Sequence, residues 1–181
     1  MRCFIAVDLD QSLIPKIKAL QNQVKNLDVK LVEENNLHFT LKFLDDIPET
    51  TVEKVKVILS EVAGSTTSFT ILISGVGVFP NEKYIRVIWV GSNSEEFLKL
   101  HHAVNDSLSK LFKKEKPSPH LTIARVRSGK DNHKIMDFVN RHKNAEIGRM
   151  IVDNIKLKKS TLTREGPVYE DVEGFGLRKV N

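Results

Sequence analysis

One succession of residues occurs twice in this chain and limits the folds open to it. Arg2-Cys-Phe-Ile-Ala-Val leads through a helical pattern to His38-Phe39-Thr40-Leu41. Arg86-Val-Ile-Trp-Val leads through another to His120-Leu121-Thr122-Ile123. The two histidines stand 82 residues apart (38 to 120), and the likeness is one of order rather than of close identity. A strand–helix–strand unit used twice predicts two similar lobes about a pseudo-twofold axis. Such an axis sets equivalent strands, and both histidines, opposite each other across a groove. On a strand, residues two apart share a face, so each His-x-Thr presents an imidazole and a hydroxyl together.

A length of 181 residues suits one domain of two lobes sharing a core, without covalent staples. The single cysteine, Cys3, excludes an internal disulfide and reads as a small buried hydrophobe in a reducing compartment. Lys and Arg exceed Asp and Glu by 28 to 23, a mild bias toward polyanionic partners. The first apolar run is too short for a signal peptide, and no run reaches the ~18 residues of a membrane span. The expected location is the cytoplasm, with no membrane partner.

Apolar periodicity predicts a strand over 2–8 and a helix over 12–26, with Leu13, Ile17, Leu20 and Val24 on its buried stripe. A short strand follows at 29–32. Residues 38–44 read as a half-buried strand, with His38, Thr40 and Lys42 on one face and Phe39, Leu41 and Phe43 on the other. A helix is expected over 48–62, a strand over 69–74 and a loop over Gly75-Val-Gly-Val-Phe-Pro-Asn81. A strand from Tyr84 to Val90, a helix over 94–112, a strand over 120–126 and a helix over 131–141 come next. Strands over 151–157 and 168–173 close the chain.

Two imidazoles flanking one phosphorus can divide the chemistry of a phosphodiester. With a reference pKa near ~6.5, one ring takes a proton from the nucleophile and the other gives one to the leaving oxygen. A ribose 2′,3′-cyclic phosphate suits this pair, because ring strain already lowers its barrier. Threonine hydroxyls on the same faces can donate to nonbridging phosphate oxygens and stabilise the developing charge. Metal chemistry is the weaker reading. No acidic residue lies at ligand spacing from either motif, His101 and His102 do not share a helix face, and His133 and His142 read as surface residues. Gly75-x-Gly77 lacks the third glycine of a dinucleotide fingerprint. Lys113, Lys114 and Lys116 form a cluster that reads as a solvated face, with RNA backbone as the sharper alternative.

At these residues the chain resembles the LigT-like branch of the two-histidine phosphoesterases, RNA 2′,3′-cyclic phosphodiesterases also called 2′-5′ RNA ligases. Arg2-x-Phe4-Ile-Ala-Val, His38-Phe-Thr-Leu-Lys-Phe-Leu44 and Gly75-Val-Gly-Val-Phe79-Pro80 carry the resemblance. So do Arg86-Val-Ile-Trp89, Pro119-His-Leu-Thr-Ile-Ala-Arg125, Ser160-x-Leu162 and Gly166-Pro-x-Tyr169. The resemblance implies an α+β, bilobal fold: two pseudo-symmetric lobes whose antiparallel sheets line a central cleft, helices outside, in one domain over 1–181. It implies hydrolysis of RNA ends or nucleoside 2′,3′-cyclic phosphates to 2′-phosphates, without metal or cofactor; a monomer is expected. The alternatives are reversible 2′-5′ ligation in the same cleft and non-catalytic binding of RNA ends. It makes His38 the proton donor and His120 the acceptor, with Thr40 and Thr122 on phosphate oxygens, Arg125 on phosphate and Phe43 facing the base. Strict alternation sets Arg125 and Phe43 on the face opposite the histidines, so their roles require a bulge, a twist or a strand end. Asp45 stands where the family often has glycine, and reads as a turn residue.

Overall fold

The computed structural model describes residues 1–164 and 166–180. Within them lie strands β1 (Arg2–Asp8), β2 (Val29–Leu31), β3 (His38–Asp46), β4 (Phe69–Asn81), β5 (Tyr84–Gly91), β6 (His120–Val126), β7 (Glu146–Val152), β8 (Asn154–Leu162) and β9 (Pro167–Gly176). The α-helices are α1 (Ile14–Val24), α2 (Glu49–Ser65), α3 (Glu95–Ser107) and α4 (Asn132–His142). The strands form one antiparallel sheet in the order β7-β4-β5-β6-β3-β1-β8-β9, with β2 added to β6. That order is a palindrome about the β6–β3 contact. The half β6-β5-β4-β7 mirrors the half β3-β1-β8-β9, as the repeated succession predicts.

The halves meet at one register pair, Phe39 opposite Leu121. These are the residues next to the two histidines, so the pseudo-twofold axis runs between the motifs. Helices α1 and α4 touch each other and the β6 half, while α2 and α3 touch each other and the β3 half. Each helix buries an apolar stripe: Ile17, Leu20 and Val24 on α1, Val52, Val55, Leu59 and Val62 on α2, Phe97, Leu100 and Val104 on α3, and Ile135, Phe138 and Val139 on α4. Pro15 sits in the first turn of α1, where its missing N–H costs nothing, and Ser94 caps α3 by accepting from Phe97 N at 3.2 Å. The apolar side chains of both halves join in one continuous core, which includes Cys3.

Three sequence expectations are corrected. Gly75–Asn81 is not a loop but the second half of β4, paired with β5 from Ser74 opposite Gly91 to Asn81 opposite Tyr84. Its glycines and proline obscured a strand that forms one arm of a long hairpin. The strand expected over 151–157 is two strands meeting at Asp153. The repeat is also shifted by one residue: Phe4, Ile5 and Ala6 oppose 43, 42 and 40, as Val87, Ile88 and Trp89 oppose 125, 124 and 122. Arg86 is therefore the counterpart of Cys3, not of Arg2.

Candidate active site

Each histidine opens its strand. The register of β3 against β1 slips between Ile5/Lys42 and Ala6/Thr40, leaving Leu41 as an extra residue. The register of β6 against β5 slips between Ile88/Ala124 and Trp89/Thr122, leaving Ile123 extra. The same bulge thus occurs at the same place in both copies. A bulge inserts one residue and inverts the alternation beyond it. This is why Phe43 and Arg125, five residues past their histidines, return to the face of His38, Thr40, His120 and Thr122. All six line one cavity of about 380 Å³. The same inversion corrects the expectation for Lys42, which points away from this face. It is 1% exposed, and its ammonium donates to Asn105 Oδ1 at 2.9 Å and to the Lys113 carbonyl at 2.7 Å.

A second device is also duplicated. His38 Nδ1 lies 2.7 Å from the carbonyl of Asn36, and His120 Nδ1 lies 2.7 Å from the carbonyl of Ser118. A carbonyl only accepts, so each Nδ1 carries the proton and donates it. Each Nε2 is then the unprotonated, basic nitrogen. The Thr40 hydroxyl donates to His38 Nε2 at 3.1 Å. Aromatic neighbours hold the rings. Phe4 and Tyr169 lie 5.0 Å and 5.3 Å from the His38 ring, and Phe79 meets His120 edge-on at 4.8 Å.

Burial dominates the proton affinity of both rings by disfavouring the charged form. It lowers the His38 pKa to about 4, against the opposing bond to Asn36 and with Lys158 and Arg125 adding to the fall. It also lowers that of His120, where the Ser118 bond opposes and Arg125 adds. Arg125 is exposed in the cavity and lies opposite Lys30 of β2. A guanidinium there presents a rigid donor fork to an oxyanion.

Phe4, Phe79, Tyr169, Lys30, Asn36 and the 166–168 segment also line the cavity. Phe4, Phe79, Tyr169 and the 166–168 segment were present in the sequence only within framework motifs, since nothing local says that Phe4 and Tyr169 flank one histidine and Phe79 the other, and Lys30 and Asn36 carried no signal. Asp45 does not line the cavity; its φ of 55° places it at a second slip of β3 against β1. The remaining histidines lie elsewhere. His101 is buried beside Phe97 and His102 is exposed on α3. His133 is exposed beside Asp137, and His142, expected at the surface, is half-buried with Nε2 bonded to Gln23. Among the described residues, no group of three or more His, Cys, Asp or Glu side chains converges on a metal-binding position, and no helix is long and apolar enough to cross a membrane. In the lysine cluster, Lys114 pairs with Asp106 at 2.7 Å.

Comparison with known proteins places this geometry. The chain is 39% identical to a Methanothermobacter thermautotrophicus protein named RNA 2′,3′-cyclic phosphodiesterase, over 98% of this chain and 99% of the relative. It is 39% identical to a Methanocaldococcus jannaschii protein of the same name, over 96% and 99%. Among solved structures, the Thermus thermophilus protein TT0787 superposes with a TM-score of 0.86 at 28% identity, covering all of both chains. Apo LigT of E. coli shares the fold, with a TM-score of 0.77 at 19% identity and coverage of 98% and 97%. The family model for LigT-like phosphoesterases matches the chain twice, over residues 7–89, which hold His38, and 90–169, which hold His120. The chain therefore belongs to the LigT-like phosphoesterase family.

Proposed function

We propose that this protein hydrolyses the 2′,3′-cyclic phosphate at RNA ends to a 2′-phosphate, with His38 and His120 as its acid–base pair and no metal in the reaction. The carrying observation is that both imidazoles, each fixed at Nδ1 by a carbonyl two residues upstream, line one cavity with Thr40, Thr122 and Arg125. Two fixed Nε2 atoms on opposite halves of the sheet suit in-line displacement at a phosphorus between them. The names of the archaeal relatives support a cyclic phosphate on RNA as the substrate.

In this reading His120 Nε2 takes the proton of the attacking water. As the bond from phosphorus to the 3′ oxygen breaks, His38 Nε2, protonated in the substrate complex, gives its proton to that oxygen. The threonine hydroxyls and Arg125 hold the nonbridging oxygens, and Phe43, 58% exposed, offers its ring to the base. The cavity occupies the cleft between the halves of a single bilobal domain acting as a monomer. Product analysis on adenosine 2′,3′-cyclic phosphate tests the proposal: 2′-AMP is expected, and His38→Ala and His120→Ala each lose at least ~10²-fold in rate. Accumulation of 3′-AMP, or undiminished turnover by either variant, overturns it.

A further inference from the structure

The chain crosses between the two halves before it reaches each histidine. Helix α1 follows β1 in sequence yet contacts β6, and α3 follows β5 yet contacts β3. The segment that leads into each histidine therefore starts on the other half. That segment also carries the carbonyl, Asn36 or Ser118, that accepts the Nδ1 proton of the ring. Before His38 it is anchored at Val32. Val32 N–H donates to the Ile123 carbonyl at 3.0 Å, and Gln21 Nε2 of α1 donates to the carbonyls of Val32 at 2.8 Å and Ile123 at 2.9 Å. Ile123 is the extra residue of the β6 bulge. Nearer the ring, Leu9 N–H donates to the Leu37 carbonyl at 3.1 Å and Asn36 Nδ2 to the Pro167 carbonyl at 3.3 Å.

Before His120 the anchor is Lys42, the residue that follows the extra Leu41 of the β3 bulge. Its Nζ donates to the Lys113 carbonyl and to Oδ1 of Asn105, a buried residue of α3. Asn105 Oδ1 also accepts from Glu115 N–H at 3.2 Å, and its Nδ2 donates to the His101 carbonyl at 3.0 Å, which fixes the amide on the helix. Glu115 Oε2 lies 3.9 Å from Lys42 Nζ. Beyond Glu115 come Pro117 and Pro119, which have no N–H to give. The register counterpart of Lys42 in β6 is Ala124, fully buried. The repeat itself thus has no need of an ammonium at this place. Burying one is costly unless its hydrogens are taken up. Here one goes to Lys113 and one to the amide that holds Glu115, both on the path to His120.

We propose that Lys42 is a positioning residue for His120: from the strand of one histidine it fixes the segment whose carbonyl orients the other. Lys42 does not line the site cavity and acts through the Ser118 carbonyl. Which ring nitrogen is bare is set by the bond the other one makes, and only a bare Nε2 can take the proton of the nucleophile. Slack in residues 113–119 loosens the carbonyl from Nδ1 and lets the ring carry its proton on Nε2 instead. The β3 bulge then has two effects. It turns Phe43 into the cavity, and it turns Lys42 toward the lead-in of His120. Neither histidine is oriented by its own half alone, so the two reach working geometry together. The kinetic part of the proposal rests on the cyclic-phosphate reading above; the part concerning the ring proton does not.

Lys42→Met replaces the ammonium with an apolar chain of similar shape. The 15N shifts of the imidazoles, read at pH 8 where the rings are neutral, report the position of each proton. In the wild type both catalytic rings should show a protonated Nδ1 and a bare Nε2. In Lys42→Met, His120 should gain a population with its proton on Nε2, while His38, on the substituted strand itself, keeps its wild-type shifts. With adenosine 2′,3′-cyclic phosphate, kcat should fall about 10-fold and KM stay within about 2-fold, as for a misdirected base rather than lost binding. Glu115 is exposed, so Glu115→Pro removes the N–H given to Asn105 without emptying the core. It should move the same ring in the same direction, and it carries the test where Lys42→Met does not fold. Unchanged His120 shifts in a folded variant overturn the positioning role. So do equal changes at both rings, which mark a general loosening, and a wild-type His120 already protonated on Nε2. A wild-type protein inert to the cyclic phosphate overturns the hydrolytic reading, and the 15N shifts then decide the positioning role by themselves.

Discussion

At the scale of single residues, burial sets the proton chemistry of the site. Both rings titrate below the ordinary imidazole range, His38 at about 4. Under the two-histidine mechanism one ring must be neutral and the other protonated in the productive free enzyme. A lowered pKa in the base moves the rising limb of the profile to lower pH, and a lowered pKa in the acid moves the falling limb the same way. The kcat/KM optimum should therefore lie on the acid side of ~6.5. A bound phosphate anion favours protonated imidazole, so the kcat profile should lie at higher pH than that of kcat/KM. Steady-state rates from pH 4 to 9 check both, and a kcat/KM optimum above neutrality contradicts the assignment. Arg125 lowers both rings, so Arg125→Met should move both limbs to higher pH as well as slow the reaction. The same shifts act on stability. His101, 2% exposed and without a partner for Nε2 among the described residues, also falls to about 4 through burial. A base whose folded pKa lies below its unfolded value binds fewer protons when folded, so stability is lost as pH falls from ~6.5 toward 4. The urea midpoint should drop across that window, and His101→Leu should make the drop shallower.

At the scale of elements, the bulges decide which residues the site contains. Asp45 lies at a further slip of β3, with φ of 55°, a conformation glycine adopts at no steric cost. Asp45→Gly should raise stability by about 0.5–1 kcal/mol, read as a higher urea midpoint, because the strain of roughly 1–2 kcal/mol for an L residue in the left-handed region is offset in part by glycine's greater freedom when unfolded, roughly 0.5–1 kcal/mol. An unchanged or lower midpoint would assign Asp45 a stabilising contact. The helices and most of the strands were legible in the sequence, since periodicity and caps are local signals. The histidines and threonines were legible because two residues along a strand always share a face. Phe43 and Arg125 were reached only through the family resemblance and against simple alternation, because one extra residue reverses every later side chain and leaves no mark in the pattern. Residues 75–81 were misread for a related reason. Glycine there serves a close approach by Trp89, which comes from the paired strand β5 and leaves no local signal in residues 75–81.

At the scale of the molecule, the site exists only while two halves stay in register across one pair of residues. Phe39 and Leu121 are both fully buried, and Phe39 meets Phe97 of α3 edge-on at 5.3 Å. No other residue pair joins β3 to β6 in register among the described residues. The seam is thin in hydrogen bonds and thick in apolar contact, because side chains from both halves belong to one core. A shared core makes the halves unfold together, since exposing one uncovers the face of the other. The chain's one tryptophan, Trp89, reports the β6 half. Tyr169→Trp in a Trp89→Phe background moves the reporter to the β3 half. Urea transitions followed by each fluorophore and by far-UV circular dichroism should coincide. Phe39→Ala should lower the transitions by a common ~3–5 kcal/mol, the usual cost of emptying a buried phenylalanine site. If Phe39→Ala instead separates the two fluorescence transitions, each half folds by itself, and the register that brings His38 to His120 is a docking equilibrium rather than a property of a single domain.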